Sequence, residues 1–136
     1  MSEAENKAIF LQFYERAWNQ DDLSVVEELL SLDFNNHEVT NPAMPHRELY
    51  KQAIIENRAA FPDWSLTIDS LIAEGDLVAA SWHAEATHTG EAWGIAPSGK
   101  RINMAGMTFV RVVNGKITDF WKQDNGYVFW QEAGGK

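Results

Sequence analysis

The sequence predicts an α+β domain with its helices first and its sheet second. Three observations carry this. Apolar residues recur at helical spacing only up to residue 60, whereas 64–125 reads as a succession of extended runs. Pro62-Asp63 marks the change, because proline cannot continue a helical hydrogen-bond ladder. Asn114-Gly115 lies between two strand-like runs and is a strong hairpin signal, so the last two strands are antiparallel neighbours. At 136 residues, with no repeat or linker, the chain is expected to form one domain over 1–136, with 134–136 a disordered tail.

The elements follow in order. Ser2 or an acidic neighbour caps a first helix running to about Gln20, with an apolar stripe of Ile9, Phe10, Phe13 and Ala17, flanked by Tyr14 and Trp18. Asp21-Asp22-Leu23-Ser24 restarts a shorter helix through Val25, Val26, Leu29 and Leu30, its acids well placed at the N-terminus. A third helix over 47–60 turns Leu49, Tyr50, Ala53 and Ile54 toward the core, followed by Phe61. Strands are expected at 64–73, 77–89, 101–113 and 116–125. In the second, Val78, Ala80, Trp82, Ala84, Ala86 and His88 share one face. A filled core would place Leu, Ile and Val there; three alanines around one indole suggest a hollow. The opposite face carries His83, Glu85, Met107, Phe109 and Arg111, which leaves an apolar patch outside.

Composition excludes several functions. The net charge is −9, from 20 acids against 11 bases, which argues against binding nucleic acid or anionic membrane. The chain has no cysteine, so disulfides, thiolate catalysis and zinc-thiolate sites are ruled out. The opening MSEAENKAIF has no signal-peptide pattern, and no apolar run approaches the ~20 residues of a membrane span, so a cytoplasmic location is expected. His83, Glu85 and His88 do not converge on a metal, because the first two lie on the face opposite His88. Gly90, Gly94 and Gly99 lack the lysine-led helix of a phosphate loop.

A resemblance covers nearly the whole chain. It is carried by Phe13-Tyr14-Glu15 with Trp18-Asn19-Gln20, Asp33-Phe34 with His37, and Ala59-Ala60-Phe61-Pro62-Asp63. Further along it rests on Leu71-Ile72-Ala73-Glu74-Gly75-Asp76, Trp82, Thr87-His88-Thr89-Gly90-Glu91, Gly94-Ile95-Ala96-Pro97-Ser98-Gly99-Lys100, and Asn114-Gly115-Lys116-Ile117 with Trp121. These segments resemble, in order, the SnoaL-like polyketide cyclase (ester cyclase) family of the nuclear transport factor 2-like superfamily. The resemblance implies a cone: helices cover the concave side of a curved, mostly antiparallel sheet and leave an apolar pocket at the open end. It also implies a homodimer through the outer sheet face and a reaction needing no cofactor, the intramolecular aldol cyclisation of a hydrophobic carbonyl compound.

Candidate residues follow from both sources. His88 faces inward and precedes Gly90, a position suited either to proton transfer or to pinning the glycine loop. The family places its general acid/base aspartate four residues after a tryptophan. That position here is Asn125, and Asp124 is one residue short of it. Regular alternation puts Trp121, Gln123 and Asn125 inward and Asp124 outward, unless a bulge before Gly126 rotates Asp124 into the pocket. With Asp124 outside, His88 would be the base and Asn125 an oxyanion donor. Tyr14 and His37 match residues of the family pocket and its mouth. Trp82, Trp121 and Trp93 would supply flat walls for an aromatic or polycyclic ligand, with Gln123 as an inward polar group, while Trp18 and Trp130 read as core filling. Two functions remain open: an acid-base enzyme on a hydrophobic carbonyl substrate, or a ligand-binding dimer with a degenerate site. A third is a general stress or accessory dimer whose pocket is vestigial.

Overall fold

Ser2 and Glu5 start the first helix by capping each other. The Ser2 hydroxyl accepts from Glu5 N and the Glu5 carboxylate accepts from Ser2 N, each at 3.1 Å. In this computed structural model, which describes residues 2–39, 44–92 and 94–132, helix α1 spans Glu3–Tyr14 and buries Phe10, Phe13 and Tyr14. It runs on as a π-helical turn, Glu15–Asn19, closed by a 3.0 Å bond from Gln20 N to Glu15 O. The wide turn re-aims Asn19. Its amide accepts from Leu66 N (2.7 Å) and donates to Leu66 O (2.9 Å), which fastens the helix to the sheet.

The remaining elements are α2 (Ser24–Leu29), β1 (Leu30–Asn36), α3 (His46–Ala60), β2 (Ser65–Glu74), β3 (Leu77–Thr87), β4 (Arg101–Val113), β5 (Lys116–Asp124) and α4 (Gly126–Glu132). The strands form one sheet in the order β1-β5-β4-β3-β2. Only β1 pairs in parallel, with β5; the other pairs are antiparallel. Asn114 (φ 51°) and Gly115 (φ 79°) both take the left-handed conformation that a two-residue hairpin requires. The α+β cone is the predicted one. Trp93 and the expected tail at 134–136 lie outside the described residues.

The inner face of β3 follows the alternation: Val78, Ala80, Trp82, Ala84 and Ala86 are buried, and His88 just beyond the strand end is fully so. The alanines belong to one core with Phe10, Phe13 and Phe61, so the hollow is confined to one end of the sheet. On the outer face Met107 is 69% and Phe109 41% exposed.

Three expectations need correction. Strand β1 and helix α4 were not anticipated. The phase of β5 is also inverted. Arg111 pairs with Asp119 but Val112 pairs with Ile117, which leaves Thr118 as an extra residue in β5. This bulge turns the strand by one position. Ile117 and Phe120, three apart, are both buried, and Lys122 and Asp124 continue the inner face. Trp121, Gln123 and Asn125 therefore do not face the pocket, because the bulge before them flips every later side chain.

Candidate functional site

A cavity of about 200 Å³ lies between α1, α3 and the inner face of the sheet. Its aromatic walls are Tyr14, Trp18, Tyr50, Trp64, Trp82 and Phe120, and its polar groups include Asn57, Glu38, Lys122 and Asp124. An outer cleft of about 530 Å³, between α3 and the loop after β3, shares Trp18, Ala53, Asn57 and Lys122 with it.

One register row builds the floor. Trp82 on β3 opposes Gly106 on β4, which opposes Asp124 on β5. A Cβ at Gly106 would lie 2.5 Å from Trp82 Cζ2 and 2.9 Å from Asp124 Cβ. The missing side chain is what lets the indole lie across β4 toward the carboxylate.

The aromatic walls are fixed by internal hydrogen bonds. Trp18 Nε1 donates to the Tyr50 hydroxyl at 3.0 Å. The Tyr14 hydroxyl and Trp82 Nε1 both donate to Thr108 Oγ1, each at 3.0 Å. Burial pushes both phenols well above their ordinary pKa, so they stay protonated as hydrogen-bond donors. Among the described residues, Trp64 is the wall indole whose N–H finds no acceptor.

The cavity's charged groups form a row. Asp124 Oδ1 accepts from Gly126 N at 2.9 Å, the first residue of α4. Its Oδ2 is 3.1 Å from Lys122 Nζ, which lies 4.0 Å from Glu38 Oε2. Removal from water raises the Glu38 carboxyl above its ordinary pKa; Lys122 opposes that shift and the charge of Asp124 adds to it.

Of the candidates read from the sequence, the structure brings Tyr14, Trp82 and Asp124 together in the cavity wall. His88 faces inward but is not among the residues that line this cavity. Its Nδ1 accepts from Ser98 N (3.2 Å) and lies 2.9 Å from Ser98 Oγ, while its backbone bonds Lys100 O and Gly99 N. It ties down the glycine loop. Asn125 Oδ1 accepts from Ala105 N at 2.9 Å and its N donates to Ala105 O at 3.1 Å, so it extends the β4–β5 ladder. His37, Trp121 and Gln123 line a groove on the outer face with Met107 and Phe109. There the His37 ring stacks on Trp121 (4.3 Å, 7°), Trp121 stacks on Phe109 (4.6 Å, 18°), and His37 Nε2 lies 3.0 Å from Asp119 Oδ1. Trp18, expected to fill the core, lines the cavity instead.

Sequence reasoning missed Glu38, Lys122, Tyr50 and Trp64. Tyr50 reads from its helical stripe as a core residue without a role, and Trp64 only as the first residue of a strand. Lys122 carries no signal unless the Thr118 bulge is known, and Glu38 sits just past a strand that the alternation does not reveal.

Helices over the concave side of a curved sheet, with a half-open aromatic cavity at one end, define a nuclear transport factor 2-like cone. The family model of SnoaL-like polyketide cyclases matches residues 8–131, and the chain belongs to that family. Among solved structures, AclR of Streptomyces galilaeus, a candidate hydroxylase, is similar at 30% identity and TM-score 0.81, over 98% of this chain and 87% of that one. A candidate polyketide cyclase of Acidithiobacillus ferrooxidans shares 26% identity at TM-score 0.79, covering 98% and 97%. IdmH of Streptomyces antibioticus, also a candidate polyketide cyclase, shares 26% at TM-score 0.79, covering 95% and 98%. No curated protein matches the sequence. Family and neighbours together support a cyclase-like enzymatic role.

Proposed function

We propose that the protein is a cofactor-independent cyclase that closes a ring in a hydrophobic, aromatic or polycyclic carbonyl compound by intramolecular aldol addition, with Asp124 as the base. The observation that supports this is the Asp124 carboxylate in the wall of an aromatic cavity, across Gly106 from Trp82. Its oxygens meet Gly126 N–H and the Lys122 ammonium, which hold the carboxylate in place in the cavity wall. Asp124 takes a proton from the carbon next to a carbonyl, and the electron pair moves onto the carbonyl oxygen. Lys122 supplies positive charge to that enolate oxygen, since the Tyr14 hydroxyl is engaged with Thr108. The aromatic walls hold the planar substrate so that the enolate carbon meets the second carbonyl.

The competing reading, a ligand-binding dimer with a degenerate site, drew on Asn125 standing where the family has its acid. It drew also on the many aromatics; Asp124 in the cavity wall supports the enzyme reading instead.

A fluorescent 1,5-diketone, 1-(2-naphthyl)hexane-1,5-dione, tests the proposal. Its α-protons exchange into D2O when a base acts on it, and it closes to a six-membered ring. Asp124→Asn is expected to lower both rates by about 10²–10⁴-fold with an unchanged circular dichroism spectrum. An Asp124→Asn protein that exchanges and closes at the wild-type rate would contradict it.

We also infer that the outer sheet face pairs with a second copy of the chain. Met107, Phe109 and the stacked Trp121 and His37 support this, because they leave a contiguous apolar surface uncovered.

A further inference from the structure

The geometry points to Glu38 as a second catalytic residue, the proton donor that works opposite Asp124. This rests on the reading of Asp124 as base. Both carboxyls line the same cavity, and Lys122 stands between them, 3.1 Å from Asp124 and 4.0 Å from Glu38. Glu38 is fixed just beyond the end of β1. Its N–H donates to Asn36 Oδ1 (3.0 Å), and the neighbouring His37 N–H donates to Phe120 O (2.9 Å) on β5.

The two carboxyls sit in different surroundings. Asp124 meets a donor on each oxygen. Among the described residues, Glu38 meets one cation, and only at the longer distance. Its partial burial and the nearby Asp124 charge make the protonated form easier to keep. The other groups that face it are the Tyr14 hydroxyl from α1 and the Tyr50 hydroxyl from α3. Burial keeps both neutral, so neither supplies a competing charge.

The step balances. Asp124 removes the α-proton, and the resulting enolate carbon forms a bond to the second carbonyl carbon. The π pair of that carbonyl moves onto its oxygen, and Glu38 delivers its proton there, which leaves a hydroxyl. Asp124 is then protonated and Glu38 ionised, and one proton passing from the first to the second restores the starting pair. Lys122 faces both oxygen acids throughout, which keeps the excess negative charge neutralised whichever carboxyl holds it.

Two measurements on the full chain test this. The first needs no substrate: carboxyl ¹³C shifts followed against pH. The Glu38 midpoint is expected above that of an ordinary glutamate, to fall in Asp124→Asn and to rise in Lys122→Met; a midpoint that ignores both substitutions overturns the pairing. The second uses the naphthyl 1,5-diketone with Glu38→Gln, a near-isosteric change at a partly exposed position. Ring closure is expected to fall by about 10²-fold or more while α-proton exchange stays near the wild-type rate. Undiminished closure in Glu38→Gln with normal exchange overturns the role of Glu38 alone, and so does equal loss of both. A wild-type protein that exchanges no α-proton removes the base role of Asp124, and the Glu38 step with it.

Discussion

Gly106 sets the spacing of the site. A methyl group there would meet Trp82 Cζ2 at 2.5 Å, the backbone oxygen of Gln123 at 2.8 Å and Asp124 Cβ at 2.9 Å. The indole can rotate only by giving up its bond to Thr108, and the Gln123 oxygen belongs to the adjacent strand. Gly106→Ala is therefore expected to cost about 1–3 kcal/mol of stability, the usual range for overpacking. It should lower diketone closure more than the loss of stability explains, because Trp82 and Asp124 are pushed apart. Thermal unfolding and the closure rate, measured on the same protein, check this; a variant with wild-type values of both would show that the row has room to spare.

At the scale of elements, legibility depended on whether alternation ran unbroken. Strand β3 is regular from Leu77 to Thr87, so counting by twos placed Trp82 and the alanines correctly. Strand β5 contains one extra residue, and Thr118 looks like any other strand threonine. The count from Trp121 therefore assigned the wrong face to everything after it, and Asp124, read as outward, is the carboxylate in the cavity. The escape envisaged, a bulge before Gly126 that turns Asp124 inward, is found at Thr118. Strand β1 hid for a related reason. Its pairing with β5 skips from Leu30 to Asn35, so its burial never alternates, and Asp33, Asn35 and Asn36 give it the composition of a loop. Helix α4 was missed because β5 was extended through Asn125. Asp124 instead accepts from Gly126 N and opens the helix. The helices before the sheet were easier: the Ser2–Glu5 box and the break at Pro62 are local signals that tertiary contacts did not override.

For the whole molecule, the fold gives the sheet two distinct faces. The inner one is aromatic and carries the carboxyl–ammonium–carboxyl row; the outer one is partly apolar and holds the His37–Trp121–Phe109 stack. No described helix is long and apolar enough to cross a membrane. If the outer face joins two copies, Met107→Lys with Phe109→Glu should halve the mass seen by light scattering at micromolar protein while the far-ultraviolet spectrum is retained. A wild-type protein that scatters as a monomer at high micromolar concentration would instead assign that face to solvent. The inner cavity and the outer cleft share Trp18, Ala53, Asn57 and Lys122 in their walls.

The claim on which the catalytic account turns is that position 124, not 125, presents a carboxylate to the cavity. The double variant Asp124→Asn/Asn125→Asp moves the carboxylate by one residue and leaves composition and charge unchanged. Its rate of naphthyl-diketone closure, measured beside the wild type and the single Asp124→Asn variant, is the direct test. The account predicts that the exchanged pair is as slow as Asp124→Asn. Closure by the exchanged pair at the wild-type rate would contradict it.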